Sequence, residues 1–256
     1  MRVLQFISLL DLKARMSLKS EASKLYLSYL WWVLEPVLWV MAFYFVFTIL
    51  LGTGRDISFL MCGKIPFLWF SKSVIGGSNS IVANRGLISQ ANIPKQFFVY
   101  ESLQEVLYKQ WLVFLVLGVV LVMFGYQPSW HWLWIIPIMV IQYLFILLFT
   151  LIGGFLVAYA RDVRMLINMS ALFLMFMSGV FWDLDQIQDP VKRELLVTWN
   201  PLAYLIDAYR QVLMHQQMFD VMHALQLTGV LLAGLIIVHV LYRFKSKTLA
   251  SKVINS

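Results

Sequence analysis

The stretch that decides the fold class runs from Gln110 to Ala160 and has the sequence QWLVFLVLGVVLVMFGYQPSWHWLWIIPIMVIQYLFILLFTLIGGFLVAYA. It contains no Asp, Glu, Lys or Arg, and it is far longer than the about 20 apolar residues that one membrane-spanning helix needs. The central Gly125-Tyr126-Gln127-Pro128-Ser129 is a turn signal. Three tryptophans follow between positions 130 and 134, as is typical of a membrane surface. The stretch therefore predicts two spanning helices joined by a turn.

Composition extends this prediction to the whole chain of 256 residues. Hydrophobic residues make up 61% and charged residues 13%, against about 45–50% and about 25% in soluble domains. A soluble fold of this size buries only about three quarters of its surface, so it would leave much of this apolar surface in water. The composition excludes a secreted enzyme, a disordered chain and a disulfide scaffold. The net charge of +7 fits basic cytoplasmic loops better than nucleic-acid binding.

Six charge-poor stretches predict six membrane spans, all helical because backbone groups in lipid must pair internally. The second is the weakest, since Lys64 and Lys72 interrupt it. The predicted spans are Pro36 to Gly54, Ile57 to Asn84, the two halves of Gln110 to Ala160, Met165 to Trp182, and Val221 to Tyr242.

Lysines and arginines predict the orientation. Fourteen lie on the N-terminal arm, on the loops after the second and fourth predicted spans and on the C-terminal tail. Four lie on the opposite side. Because basic residues collect in cytoplasmic loops, both termini are predicted to be cytoplasmic and the segment from Asp183 to Asp220 to be external. The N-terminal arm mixes apolar residues with Lys13, Arg15 and Lys19, which predicts an amphipathic helix at the cytoplasmic interface. A loosely ordered basic arm is the alternative.

The motifs of nucleotide-binding and hydrolytic sites are missing from the sequence. It has no G-x-x-x-x-G-K-[ST] phosphate loop and no H-E-x-x-H, and its four histidines lack metal-ligand spacing. Intramembrane acids are nearly missing, which argues against a proton relay. We expect no catalytic residue and no metal in this chain, and therefore a pore or transporter subunit that is powered by something else.

Three local features are more specific. Pro36 is predicted to end the interfacial helix, with Glu35 at the head of the next helix; a plain helix-start proline is the alternative. The loop from Asn84 to Lys95 is basic yet contains apolar residues, which predicts a short helix before Pro94 that contacts a cytoplasmic partner; a solvated loop is the alternative. In the segment predicted to be external, a half-buried helix is predicted after a turn signal at Asn200-Pro201. The alternative is an amphipathic helix that continues without a break into the sixth span. This helix has apolar side chains at helical spacing, namely Leu202, Leu205, Ile206 and Tyr209.

In this order and spacing, the features resemble the permease subunits of ABC transporters of the type-2 exporter class. Within that class the sequence is most similar to the branch that exports O-antigen, capsular polysaccharide and teichoic acid. Ser28 stands where the branch usually has Gly. Because Asp11-Leu12-Lys13-Ala14-Arg15 also fits a motif of the branch, the N-terminal arm can be aligned with the branch in two registers. The motifs that carry the resemblance are Leu27-Ser28-Tyr29-Leu30-Trp31, Leu34-Glu35-Pro36, Arg161-Asp162-Val163 and Trp199-Asn200-Pro201-Leu202.

The resemblance implies an all-α integral membrane protein that exports a lipid-linked polysaccharide across the bacterial inner membrane. It implies a homodimer with two separate ATPase subunits, which bind the ATP and magnesium, so no cofactor is expected in this chain. It further implies one permease domain over 1–256, with an interface helix at 1–32, a coupling loop at 84–98 and external gate helices in 183–220. The implied ATPase-coupling residues are Arg85, Gln90, Asn92, Lys95, Arg161, Asp162 and Arg164, and the implied gate residues are Asn200, Pro201, Tyr204 and Arg210.

A substrate path can be argued from chemistry, because sugar rings bury their C–H faces against aromatic rings. An aromatic stripe in a membrane helix also packs or faces lipid, and those two alternatives stay open. So do two other functions: a type-2 exporter of a small drug or lipid, and an ATP-independent channel or scaffold. The candidate path residues, from the first and fifth spans, are Trp39, Phe43, Tyr44, Phe47, Phe173, Phe176, Phe181 and Trp182.

Overall fold

A computed structural model of the chain describes residues 3–24, 30–50, 52, 56–90 and 93–255. In these ranges the chain is helical, with no strand, as predicted. Short 3-10 segments precede α6 and α8, and a π-helical turn, Phe45–Leu50, continues α2. The helices are α1 Val3–Lys24, α2 Trp31–Tyr44, α3 Ile57–Ala83, α4 Arg85–Gln90, α5 Gln96–Met123, α6 Ile135–Tyr159, α7 Val163–Met177, α8 Pro190–Trp199, α9 Pro201–Leu213 and α10 Val221–Asn255.

Four helical segments of the described chain are long and apolar enough to cross a membrane: Trp31–Leu50, Gln96–Met123, Trp130–Tyr159 and Val221–Ile254. They correspond to the predicted first, third, fourth and sixth spans. The other two predicted spans correspond to α3, which carries two lysines, and to α7, an apolar helix of only 15 residues. The chain is therefore a multi-pass membrane protein. Helix α3 is less suited to lipid because of its two lysines, and α7 because of its length.

Helix α3, the weakest span in the sequence, is the central helix of the bundle. It packs against α5 and α6 along most of its length and also touches α2, α7 and α9. Small residues bring α3 and α6 close together: a Cβ on Gly77 would lie 2.2 Å from Thr150 Cγ2, and one on Gly153 would lie 2.1 Å from Ser78 Oγ. Such close approach is typical of helix contacts in membranes, where dispersion replaces the hydrophobic effect.

The predicted break between the third and fourth spans is confirmed, since α5 ends at Met123 and Gly125 turns the chain with φ +89°. However, α5 begins at Gln96 and not near Gln110. The charged side chains of this additional part, which seemed to interrupt the span, pair with α1. Lys13 Nζ lies 2.9 Å from Glu101 Oε2, and Glu21 and Glu105 both pair with Lys109.

The prediction that Pro36 starts the first span is wrong. Helix α2 begins at Trp31 and contains Pro36. Pro36 is the sixth helical residue, so it lacks the N–H that would donate to the carbonyl of Trp32, and its ring crowds that carbonyl. Glu35 therefore does not head the helix; it pairs with Lys72 on α3, with 2.6 Å between Oε2 and Nζ.

Both ends of the chain lie at one end of the bundle. Phe6 contacts Phe97 with 5.5 Å between ring centroids, Lys13 Nζ lies 3.3 Å from Asn84 Oδ1, and Arg85 donates to the carbonyl of Ile254. The C-terminal helix runs on to Asn255, past its predicted end at Tyr242, and buries Leu249 and Val253. The basic segments that the sequence assigned to one side of the membrane are therefore together in space.

Candidate functional site

Four aromatic rings that the sequence proposed for the substrate path form a continuous row. Trp39 stacks on Phe43 at 6.0 Å between centroids, Phe43 contacts Phe181 at 4.7 Å, and Phe181 contacts Phe176 at 5.5 Å. The row, called the aromatic strip below, joins α2 to the end of α7. About half of Trp39 and of Phe176 is exposed (49% and 51%), so the strip presents ring surface to whatever surrounds the chain.

The other four candidate path residues are placed differently. Tyr44 packs against the buried core, and the Trp182 indole donates to the carbonyl of Phe176 at 2.8 Å, so it supports the strip. Phe173 lies on α7 one turn before Phe176 and is exposed. Phe47 lies in the π-helical turn, and its side chain is outside the described residues.

A lysine that sequence reasoning treated only as an interruption lies directly beneath the strip. Lys64 of α3 is 5% exposed, and its Nζ lies 4.8 Å from the Phe43 ring centroid, 5.5 Å from that of Trp39 and 5.7 Å from that of Phe67. The same Nζ donates to the thioether Sδ of Met175 at 2.9 Å. The charge itself was the signal, because an ionisable residue inside a membrane segment marks a functional site by default.

The predicted short helix before Pro94 is present as α4, which rules out a solvated loop over these residues. Ile88 is buried and anchors it, while Arg85, Gln90 and Leu87 are exposed. Asn92, also predicted to couple, lies outside the described residues.

Lys95 requires a correction. It is 5% exposed and its Nζ donates to the carbonyl of Ile93 at 3.0 Å, so its charge is not presented on the surface of this loop. Burial lowers the pKa of the Lys95 ammonium. Ile93, Pro94 and Lys95 line one side of a cleft of about 500 Å³, and α10 lines the other.

The predicted turn at Arg161 and Asp162 connects α6 to α7, and Arg161, Asp162 and Arg164 are exposed. It lies at the same end as α4. A Cβ on Gly154, near the end of α6, would lie 3.2 Å from Val99 and 3.4 Å from Ile81, which are close to the two ends of the 84–95 loop.

The segment predicted to be external forms two helices, α8 and α9. A loop separates α9 from α10, so α9 does not continue into the last span. Asn200 caps α9, its Oδ1 accepting from the Ala203 amide at 3.4 Å, and Pro201 follows as the first helical residue. The Asn200 amide also donates to the carbonyl of Met177 at 3.1 Å. Tyr204 donates to the carbonyl of Asp220 at 2.7 Å. Helix α9 is almost wholly buried and not half-buried as predicted, because it packs on α3 and α6.

Arg210, a predicted gate residue, is 2% exposed and holds the turn after α7 to the start of α3. Its Nη1 donates to Gly179 O at 2.7 Å, its Nη2 donates to Val180 O at 3.0 Å, and the guanidinium lies 3.6 Å from the ring centroid of Phe59. Gly63 makes the room, since a Cβ there would lie 2.6 Å from Arg210 Nη2.

One carboxyl group on α9 is partly buried. Burial, together with the nearby Asp183 and Asp185, raises the pKa of Asp207 to about 6, while Arg210 and Arg193 oppose the change. Its Oδ2 accepts from Gln211 Nε2 at 2.6 Å. Within the described ranges, no group of three His, Cys, Asp or Glu residues is placed to hold a metal ion.

Comparison with known proteins identifies the family. Residues 18–214 match the family described as "ABC-2 type transporter". The chain is 29% identical over 229 residues to the "O-antigen export system permease protein RfbA" of Klebsiella pneumoniae, covering 85% of this chain and 86% of the relative. It is 27% identical over 222 residues to the protein of the same name from Myxococcus xanthus, covering 84% of each.

Proposed function

Because the chain belongs to the ABC-2 type transporter family, we propose that it is the membrane subunit of an exporter that moves a lipid-linked polysaccharide of the O-antigen kind across the bacterial inner membrane. Relatives that span most of the chain carry the name of O-antigen export permeases. ATP hydrolysis belongs to a separate ATPase subunit, in keeping with the missing phosphate loop.

The aromatic strip is the observation that carries the proposal. Aromatic rings offer broad apolar faces that carry partial negative charge, and the C–H faces of sugar rings pack against such faces. A row of rings gives a polymer many equivalent contacts, so it can slide from ring to ring. Sites for small molecules are clefts or cavities that bury most of the ligand, whereas the strip is an open surface on α2 and α7.

We place two copies of the chain face to face, with their strips lining the path between them. Six spans are assumed, with α3 and α7 as the second and fifth. The end that carries both termini, α4 and the Arg161 turn would be cytoplasmic, because its loops are the basic ones. There α4, with Arg85 and Gln90 exposed, and the Arg161 turn are available to two ATPase subunits. Helices α8 and α9 would cover the outer end of the path.

The test replaces the rings of the strip by leucine, as Trp39→Leu/Phe43→Leu/Phe181→Leu. Leucine keeps the surface apolar and removes the flat faces. We expect normal membrane levels and normal co-purification of the ATPase subunit, with loss of glycan at the cell surface. The measurement combines an immunoblot of membranes, a pull-down of the ATPase and staining of surface glycan.

The matched control is Trp111→Leu/Phe124→Leu, which removes two exposed aromatic side chains (52% and 56%) from α5 and from the residue that follows it, away from the strip. This variant should export normally. Continued export by the strip variant at normal protein levels would contradict the path and leave the strip as a lipid-facing surface. Loss of the strip variant from the membrane would assign the rings a packing role.

A further inference from the structure

Beneath the aromatic strip, the Lys64 ammonium lies in a cage of side chains that carry no negative charge. The cage consists of the Trp39, Phe43 and Phe67 rings and the Met175 thioether. Among the described residues no carboxylate lies within ion-pair distance of Lys64. The lysine is nonetheless 5% exposed.

A second lysine on the same helix shows how such a charge is ordinarily satisfied. Lys72, two turns further along α3, pairs with Glu35 of α2, with 2.6 Å between Nζ and Oε2. Buried charges in proteins are paired or bind a ligand, because removing an ion from water is costly. Ring faces and a thioether stabilise a cation only partly. The described part of the chain therefore provides no counter-anion for Lys64.

We propose that Lys64 binds the phosphate group of the lipid-linked substrate as it passes the aromatic strip. This proposal rests on the proposed function. A glycosidic or ether link between a sugar and a lipid is uncharged, whereas a phosphate or diphosphate ester places negative charge at that junction. The strip contacts the sugar, and the lysine beneath it contacts the charged junction between sugar and lipid.

The geometry allows the contact. Trp39 and Phe43 separate the ammonium from the exposed face of α2, and Trp39 is half exposed. The lysine stem has four rotatable carbons, so the ammonium can swing between these two rings to meet a phosphate and return to the cage afterwards. Lys64 is seven residues from the start of α3 at Ile57. At a rise of about 1.5 Å per residue, the site lies about 10 Å from the outer end of the helix.

The test compares the wild-type exporter, permease with its co-purified ATPase, with Lys64→Met and Lys64→Arg in phosphatidylcholine nanodiscs. Met matches the length and the apolar stem of lysine without its charge, and Arg keeps the charge. The probes are farnesyl diphosphate, a short-chain phosphatidic acid and uncharged farnesol. Whichever phosphate probe binds tells whether an isoprenoid or a phospholipid tail carries the group.

We expect Lys64→Met to weaken binding of the phosphate probe at least tenfold, Lys64→Arg to stay within about threefold, and farnesol to bind all three proteins equally. A control, Glu35→Gln/Lys72→Met, removes the other lysine of α3 with its partner and should leave phosphate binding unchanged. Equal phosphate binding by Lys64→Met and wild type would overturn the proposal and leave Lys64 as a packing group. Equal loss of farnesol binding would do the same.

A measurement of surface glycan in cells distinguishes a failure of the proposed phosphate site from a failure of the proposed export function. If the wild type exports glycan and Lys64→Met binds phosphate normally, the phosphate site alone is refuted. If deleting the chain leaves surface glycan intact, the export function is refuted, and the binding measurements still decide whether Lys64 holds a phosphate.

Discussion

Removing the charge of Arg210 should loosen the end of the bundle where the turn after α7 meets the start of α3. Its two shortest hydrogen bonds go to the carbonyls of Gly179 and Val180, at 2.7 and 3.0 Å. Bonds to a charged group contribute about 1.5–3 kcal/mol each, which gives about 3–6 kcal/mol for the two. Relief of the desolvation of a buried guanidinium offsets part of this loss. We expect Arg210→Met to lower the free energy of unfolding by about 2–4 kcal/mol.

The assay is thermal unfolding of the detergent-solubilised chain, followed by fluorescence-detected size exclusion, with trypsin cleavage at Arg193 of α8 as a local readout. The matched control is Arg193→Met. Arg193 pairs with Asp185 at 2.7 Å on an exposed surface, and such pairs contribute about 0–1 kcal/mol. For trypsin, the comparison is between Arg210→Met and wild type, both of which keep the Arg193 site. If Arg210→Met unfolds at the same temperature as Arg193→Met and is no more sensitive to trypsin than wild type, Arg210 does not hold the turn.

Three further predictions concern other parts of the chain. Arg85→Glu should leave the permease folded, because the side chain is exposed, and should weaken pull-down of the ATPase subunit; undiminished pull-down and normal glycan export would remove α4 from the coupling surface. Lys13→Glu should release α1 from α5, and Lys13→Glu/Glu101→Lys should restore about 1 kcal/mol of unfolding free energy, with no restoration counting against the pair. Because the raised pKa of Asp207 lets the folded chain keep a proton that the unfolded chain loses between about pH 4 and 6, wild type should gain thermal stability as pH falls from 7 to 5. Asp207→Asn should lack that gain, and an equal gain in both proteins would assign it to another group.

The local signals of the sequence predicted much of the helix order. Gly125 and Pro128 marked the break between α5 and α6, and the apolar spacing around Leu205 marked α9. The short helix α4 followed from apolar residues inside a basic loop. These features depend on backbone preference and on side-chain periodicity along one segment, so they can be recognised without knowing any neighbour.

Contacts between helices decided the rest. The weak hydropathy of α3 concealed the central helix of the bundle, because hydropathy measures suitability for lipid and α3 is surrounded by protein. Lys95 looked like a surface charge and is buried. Arg210 looked like a helix-face charge and donates to carbonyls of two other segments, at Val180 and Phe59. The charge of Lys64 was visible in the sequence, but the rings of Trp39 and Phe43 over it were not. The partner of a charge is chosen by tertiary packing between residues far apart in the chain. From a single sequence one can tell that burying such a charge is unfavourable, but not which neighbouring groups stabilise it.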